Sequence, residues 1–217
     1  MTHDELLPQK ELTSRAARAD VQQWRARSSA ILTGSGTVLA DDPQLTVRLA
    51  EGVEVVPPMR VVLDTRGRLS AGKRIFDSTA ATIAVHAIDM VPDYADEISA
   101  FAVPRDGDDG LDLHATLSQL AQRDINEVQV EAGATLCGAL LRDGLVDELL
   151  LYLAPVLLGD KGRPLFAGMG INLMADRIGL DIVDQRMVGP DLRLLLRRGR
   201  GLAVAQFVRR MRQGGVA

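Results

Sequence analysis

The sequence predicts an α/β fold: a mixed, mostly parallel sheet with helices on both faces. Three observations predict it. Short apolar strands alternate with amphipathic helices over the first two thirds of the chain. Late in the chain, "RIGLDIVDQRMVG" and "DLRLLLRR" flank Gly189-Pro190-Asp191 and read as a closing antiparallel pair. The 217 residues are 47% hydrophobic and 25% charged, enough to bury a core, and aromatics at 3% make that core aliphatic.

Thr13 or Ser14 can cap a helix running to about Arg27, with Ala17, Val21 and Trp24 on one apolar face. "SAILT" is a short buried strand that ends in a flexible "GSG" at residues 34–36. Pro57-Pro58 marks an extended linker. "RVVLD" (60–64), "TIAVH" (82–86) and "ISAFAVP" (98–104) are the next strands. "RDGDDGLD" (105–112) is a loop. Its acids imitate a calcium loop but lack the closing glutamate, so a solvated turn is the simpler reading. "LDLHATLSQLAQR" is a helix with Leu113, Leu117, Leu120 and Ala121 on one side. "EVQVE" (127–131) is a strand, followed by a tight turn and a helix that Gly144 stops. "DELLLYLAPVLLG" is the longest strand candidate. The last 19 residues, 199–217, form a basic tail in which Arg200, Arg209, Arg210 and Arg212 meet no acids. It is either a solvated terminal helix or an anion- or partner-binding appendage.

Several function classes are disfavoured. A net charge of -4 gives no global reason to expect nucleic acid, so a site for a charged metabolite must be locally basic. Cys137 stands alone, which excludes an internal disulfide and a cysteine-cluster zinc site. His3, His86 and His114 are scattered without metal-ligand spacing, and no metal is expected. "MTHDELLPQK" carries acids and a proline where a signal peptide needs a basic start and an apolar core. The apolar run "LLLYLAPVLL" is half a membrane span and holds a proline. A cytoplasmic protein without membrane partners is the expectation.

Three segments can carry chemistry. In "EVQVEAGATLCGA" a strand ends at Glu131 and a helix begins almost at once. Its first backbone N–H groups lack internal partners, and small residues let a phosphate approach them. Gly133, Ala134, Thr135, Leu136, Cys137, Gly138 and Ala139 are therefore a candidate diphosphate cradle, with Glu131 at the carboxyl end of a strand, where open α/β sheets place ligands. An ordinary strand–turn–helix unit is the alternative. "VVLDTRGR" offers a hydroxyl at Thr65 and cations at Arg66 and Arg68, suited to a 2′-phosphate or simply to a polar turn. "GTVLADDPQLTVR" sets Thr37, Asp41 and Asp42 before Pro43, with Arg48 following. It either binds ribose hydroxyls and a phosphate, or is a helix end in which Asp42 pairs with Arg48.

Taken together, "SSAILTGSGTVLADDPQLTVR", "RVVLDTRGRL", "EVQVEAGATLCGALLRDGLVDELLLYLAPVLLG" and "VGPDLRLLL" resemble the reductase domain of the bifunctional riboflavin-biosynthesis deaminase–reductase, over about Thr13 to Arg197 and in the same order. The resemblance implies a dihydrofolate-reductase-like fold over residues 1–198 and a homodimer. It implies NADPH-dependent reduction of 5-amino-6-(5-phosphoribosylamino)uracil to the ribitylamino compound. It places Thr37, Asp41, Thr65 and residues 133–139 at NADPH, and Arg25, Leu45, Arg48 and Glu131 at the substrate. Arg25 and Arg48 would hold the phosphoribosyl end. Glu131 and Asp41 are the acids nominated for catalysis.

Two departures qualify it. The zinc-deaminase signature of the bifunctional members is absent, so a stand-alone reductase or an excised half is expected. "QKELTS" also carries Gln9 and Glu11 where the family shows a serine and a tryptophan. An NADPH reductase of the same fold for another pterin- or pyrimidine-like substrate, and a catalytically silent binding homologue, are the alternatives.

Overall fold

The computed structural model describes residues 12–107 and 110–199. The tail expected at 199–217 therefore lies outside the described residues, apart from Gly199, as do Gln9 and Glu11. The described chain divides into two compact units. The larger holds residues 19–107, 110–143 and 163–169; the smaller holds 12–18, 144–162 and 170–199.

The larger unit is built on a parallel sheet. Strands β1 (Ala30–Gly34), β2 (Met59–Leu63), β3 (Thr82–Ala87) and β4 (Ala100–Val103) add in chain order on one side, and β7 (Val128–Val130) pairs with the other side of β1. All four pairings are parallel, with Leu32 opposite both Val61 and Val130. The buried strands are runs of branched aliphatics, as a sheet covered on both faces requires. Ile31, Val62 and Ala84 pack on one face with Val38, Leu45, Ile75 and Tyr94. On the other face a side chain added at Gly34 would meet Leu136. Helices thus cover both faces. Between β4 and β7 lie a two-stranded ladder, β5 (Arg105–Asp106) with β6 (Gly110–Leu111), and the helix α3 (Leu113–Ala121).

Three expectations need correction here. "GSG" is not a flexible link: Ser35–Asp41 form a helix, α2. Its one glycine, Gly36, weakens helix propensity by ~1 kcal/mol, but fully buried Val38 anchors the turn in the core. The apolar side of α3 is Leu113, Thr116 and Leu120, not Leu117 and Ala121. The Thr116 hydroxyl donates to Asp112 O and so tolerates burial. The strand in "ISAFAVP" is confined to β4.

The smaller unit is an antiparallel sheet ordered β8 (Glu148–Leu153), β10 (Asp191–Arg198), β9 (Leu180–Val188). The expected closing pair is present, Asp191 opposite Val188 across a two-residue turn. Gly189 takes φ +62 there, and an added Cβ would lie 2.9 Å from Ala16 Cβ. A third strand, β8, joins the pair. It stops at Leu153 because Pro155 cannot donate to a ladder, so β9, not β8, is the longest strand. Ser14 caps the first helix, α1 (Arg15–Arg27), by accepting from Ala17 N at 3.2 Å. The Ser14 N–H donates to buried Asp191 at 2.7 Å. Among the described residues no helix is long and apolar enough to cross a membrane.

Candidate functional site

Strand order locates the site. The chain leaves β1 for β2 on one side, and β7 arrives on the other, so the crevice beyond the carboxyl ends of β1 and β7 is a switch point, where such sheets bind ligands. Both strands lead into helices, β1 into α2 and β7 into α4 (Ala134–Arg142). Neither N-cap, Gly34 or Gly133, supplies a side-chain acceptor, so both helices start with bare N–H groups.

A cavity of about 480 Å³ opens here, lined by Gly34, Ser35 and Gly36 of the β1–α2 turn and by Thr65, Arg66 and Arg68 after β2. Thr135, Leu136, Ala139 and Arg142 of α4 complete the wall, with Asp106, Ala167 and Gly168 nearby. Helical periodicity explains which part of the seven-residue cradle faces it. Residues 135, 139 and 142 share one side of α4. Gly138 lies elsewhere, against the chain at Ala167: an added Cβ would sit 2.0 Å from Ala167 O. Ala167 N donates to Ala134 O at 2.9 Å in the same contact. Cys137 turns back to Ala132 O, and burial pushes its thiol above the ordinary range. Gly133, Ala134, Cys137 and Gly138 thus shape the cradle, while Thr135, Leu136 and Ala139 line it.

The second wall depends on a residue not singled out from the sequence. Asp64 is fully buried at the end of β2. Its carboxylate accepts from Arg68 N at 3.1 Å, Leu69 N at 3.0 Å and the Tyr94 hydroxyl at 3.3 Å. Burial, with the Asp64 charge beside it, holds the Tyr94 phenol well above its usual range, so it stays a donor. This carboxylate folds "DTRGR" into the turn that carries Thr65 and the two arginines. The signal was present, an acid ending an apolar strand before a glycine turn. The Arg68 guanidinium donates to a neutral partner, Ser35 Oγ, at 3.1 Å. Arg142 pairs with Asp143 at 2.8 Å and lies 3.7 Å from Asp106, which offset its charge.

The other residues meet at Glu131. Its N–H donates to Leu32 O at 2.9 Å, pinning it past the end of β7. Arg25 of α1 grips the carboxylate with both arms, Nε to Oε1 at 2.7 Å and Nη2 to Oε2 at 2.6 Å. Gln129 Nε2 adds a third contact to Oε1 at 2.8 Å. The remaining arm of Arg25 reaches Thr46 O at 2.9 Å, which ties the pair to the loop after α2.

That loop is held at several residues between 42 and 48. Asp42, the left-handed C-cap of α2, accepts from Arg74 N at 3.1 Å. Gln44 donates to Asp77 at 2.7 Å, and its carbonyl accepts from fully buried Arg60. Leu45 adopts φ +51, costly for a branched residue, and offsets the strain by burying its side chain in the core. Arg48 N donates to Gln22 Oε1 at 2.8 Å. Asp42 is therefore not the partner of Arg48. The Arg48 guanidinium is exposed and has no ion-pair partner among the described residues. Leu45 can offer a ligand only its backbone. Thr37 lies within α2, half-buried, and Asp41 ends that helix, exposed and without a hydrogen-bond partner among the described residues. Neither lines the cavity. The two arginines thus differ: Arg25 is saturated by Glu131 and Thr46, whereas Arg48 is free to take an anion.

Residues 2–193 match the model of the RibD C-terminal domain family. The chain is 40% identical over 195 residues to riboflavin biosynthesis protein RibD of Escherichia coli, covering 85% of this chain and 53% of that protein. It is 32% identical over 197 residues to 5-amino-6-(5-phosphoribosylamino)uracil reductase of Buchnera aphidicola, covering 86% and 95%. The structure resembles RibD of Acinetobacter baumannii, with TM-score 0.78 and 35% identity over 89% of this chain and 53% of that one. The chain spans about half the length of the RibD proteins it matches.

Proposed function

From the premise that the chain belongs to the RibD C-terminal domain family, we propose that it reduces 5-amino-6-(5-phosphoribosylamino)uracil with NADPH to the ribitylamino product. The observation that carries this reading is the switch-point crevice. There the Arg25–Glu131 pair stands at the end of β7, and the cavity headed by α4 begins three residues later. The named reductase of Buchnera aphidicola, matched over nearly its whole length, supports the substrate assignment.

The cavity suits a dinucleotide. Bare N–H groups at the start of α4 would receive the diphosphate, and Thr65 and Thr135 offer hydroxyls. Arg68, paired with a neutral hydroxyl, is a ready partner for a 2′-phosphate and favours NADPH over NADH. Thr37 and Asp41 would contact the cofactor beyond the cavity, and Gly133, Ala134, Cys137 and Gly138 set the backbone against which it lies. When bound, NADPH supplies the hydride.

The protein's own contribution is positioning and charge. Arg48 would take the substrate's phosphate. Arg25 would orient Glu131, whose free lone pairs would accept hydrogen bonds from the substrate. With its carboxylate already engaged by a guanidinium, Glu131 acts as an acceptor. Asp41, exposed and without a hydrogen-bond partner among the described residues, would be the acid that exchanges a proton when the ribosyl ring opens. Leu45 would contribute through its backbone. We further infer a homodimer formed through the smaller unit, where Ile182 and Met187 of β9 are 60% and 62% exposed, and a cytoplasmic site of action.

The test is loss of NADPH absorbance on mixing the protein with enzymatically generated 5-amino-6-(5-phosphoribosylamino)uracil. Rapid loss, slower with NADH, is expected. Cofactor binding without oxidation would overturn the reading in favour of a silent homologue. Oxidation with a different pyrimidine alone would reassign the substrate.

A further inference from the structure

We propose that Gln129 is a positioning residue for the substrate side of the site, acting through Glu131; the proposal rests on the reductase reading above. Gln129 and Glu131 are two residues apart along β7 and its extension, so their side chains leave the same face of the sheet. Gln129 Nε2 donates to Glu131 Oε1 at 2.8 Å. The same oxygen accepts from Arg25 Nε at 2.7 Å, whereas Oε2 accepts from Arg25 Nη2 at 2.6 Å.

The arrangement matters because the terminal torsion of a glutamate is soft. A guanidinium fork aligns the carboxylate with itself, yet Arg25 is a long side chain on a different element, α1. A donor from β7 ties Glu131 to its own strand and defines the carboxylate's rotation independently of Arg25. Oε1 is then doubly engaged, and Oε2, with a single protein donor, is the oxygen left for a ligand. The orientation of the amide is dictated as well, since a carboxylate admits only its NH2 end. Its oxygen faces Ser28 Oγ at 3.4 Å, and that hydroxyl also meets Trp24 O at 3.0 Å. The chain Trp24–Ser28–Gln129–Glu131–Arg25–Thr46 therefore runs from α1 through β7 to the loop that presents Arg48. In the strand itself Gln129 needs no amide side chain: its ladder partner is Ile31, through the backbone.

Three variants test this by Michaelis analysis, with thermal midpoints measured alongside. Gln129→Leu removes the donor and should raise KM for the phosphoribosyl substrate about tenfold with kcat changed less than about twofold. Gln129→Glu replaces the donor by an acceptor facing Glu131 and should raise KM further. Gln129→Lys keeps a donor and should restore KM to within about threefold of the parent. Affinity for NADPH should be unchanged in all three. KM that follows the thermal midpoint instead of donor character would overturn the proposal as a mere packing effect, and so would an unchanged KM in Gln129→Leu. Absence of turnover in the parent protein would instead overturn the reductase reading, and this proposal with it.

Discussion

Arg25 and Arg48 lie on facing elements, yet their surroundings give them different tasks. Arg48 is exposed and without an ion-pair partner among the described residues, so its removal should cost binding alone. Arg48→Ala is expected to raise KM by about one to two orders of magnitude, the worth of a charge-assisted hydrogen bond, with kcat nearly kept. Arg25→Ala should raise KM for the substrate and also lower the thermal midpoint, because a half-buried Glu131 loses both arms of its fork. Steady-state kinetics and melting curves on the two proteins separate these outcomes. The lone thiol gives a third check. Burial raises the Cys137 pKa, so labelling with a thiol reagent at pH 8 should run well below the rate of a free cysteine, and faster labelling would show that α4 opens.

At the scale of elements, two close contacts hold the site's walls. α4 and the chain at Ala167 approach so closely that a methyl at position 138 would strike a backbone oxygen. Gly138→Ala should cost about 1–3 kcal/mol of stability and weaken NADPH, since Thr135, Leu136 and Ala139 ride on the same helix; calorimetric unfolding and cofactor titration check both. The loop that carries Arg48 depends on Arg60, which is wholly buried and donates to Asp77, Thr82 and several carbonyls. Hydrogen bonds from Thr79, Gln44 and Arg60 hold the Asp77 carboxyl well below its ordinary 3.8. A depressed carboxylate contributes stability that is present above its unfolded pKa and is lost as pH falls through its folded one. Stability should therefore decline below about pH 4. Asp77→Asn should flatten that part of the pH profile while lowering stability at pH 7 by about 1–3 kcal/mol.

For the whole molecule, the balance of charge and exposed apolar surface makes two predictions. The chain carries a net charge of -4, so an anionic cofactor must be attracted by the local arginines. Raising ionic strength from about 0.05 to 0.5 M should weaken NADPH measurably as the Debye length shrinks. The open face of β9 should close on a second copy. Sedimentation equilibrium is expected to give a dimer, and Ile182→Asp with Met187→Asp to give a monomer. A monomeric parent protein would remove the dimer from the proposed function.

What the amino-acid order determined by itself was local. Runs such as "SAILT" and "RVVLD" read as short strands, the Gly189-Pro190-Asp191 turn read as joining an antiparallel pair, and four short motifs in order carried the family. The candidate site was legible in part: Thr65 and Glu131 stand just past strand ends, Thr135 in the first turn of α4 and Arg48 in the loop after α2, whereas Arg25 sits on α1, away from any strand end. The tertiary structure decided the rest, because it depends on partners distant in sequence. "GSG" became a helix once Val38 found the core, a gain that no local propensity contains. Asp64 became the organiser of the second wall only when Tyr94, thirty residues on, closed over it. Arg25 and Arg48 look equivalent along the chain. Glu131, 106 residues from Arg25, saturates one and leaves the other free, since hydrogen-bonding capacity is spent in space and not along the sequence.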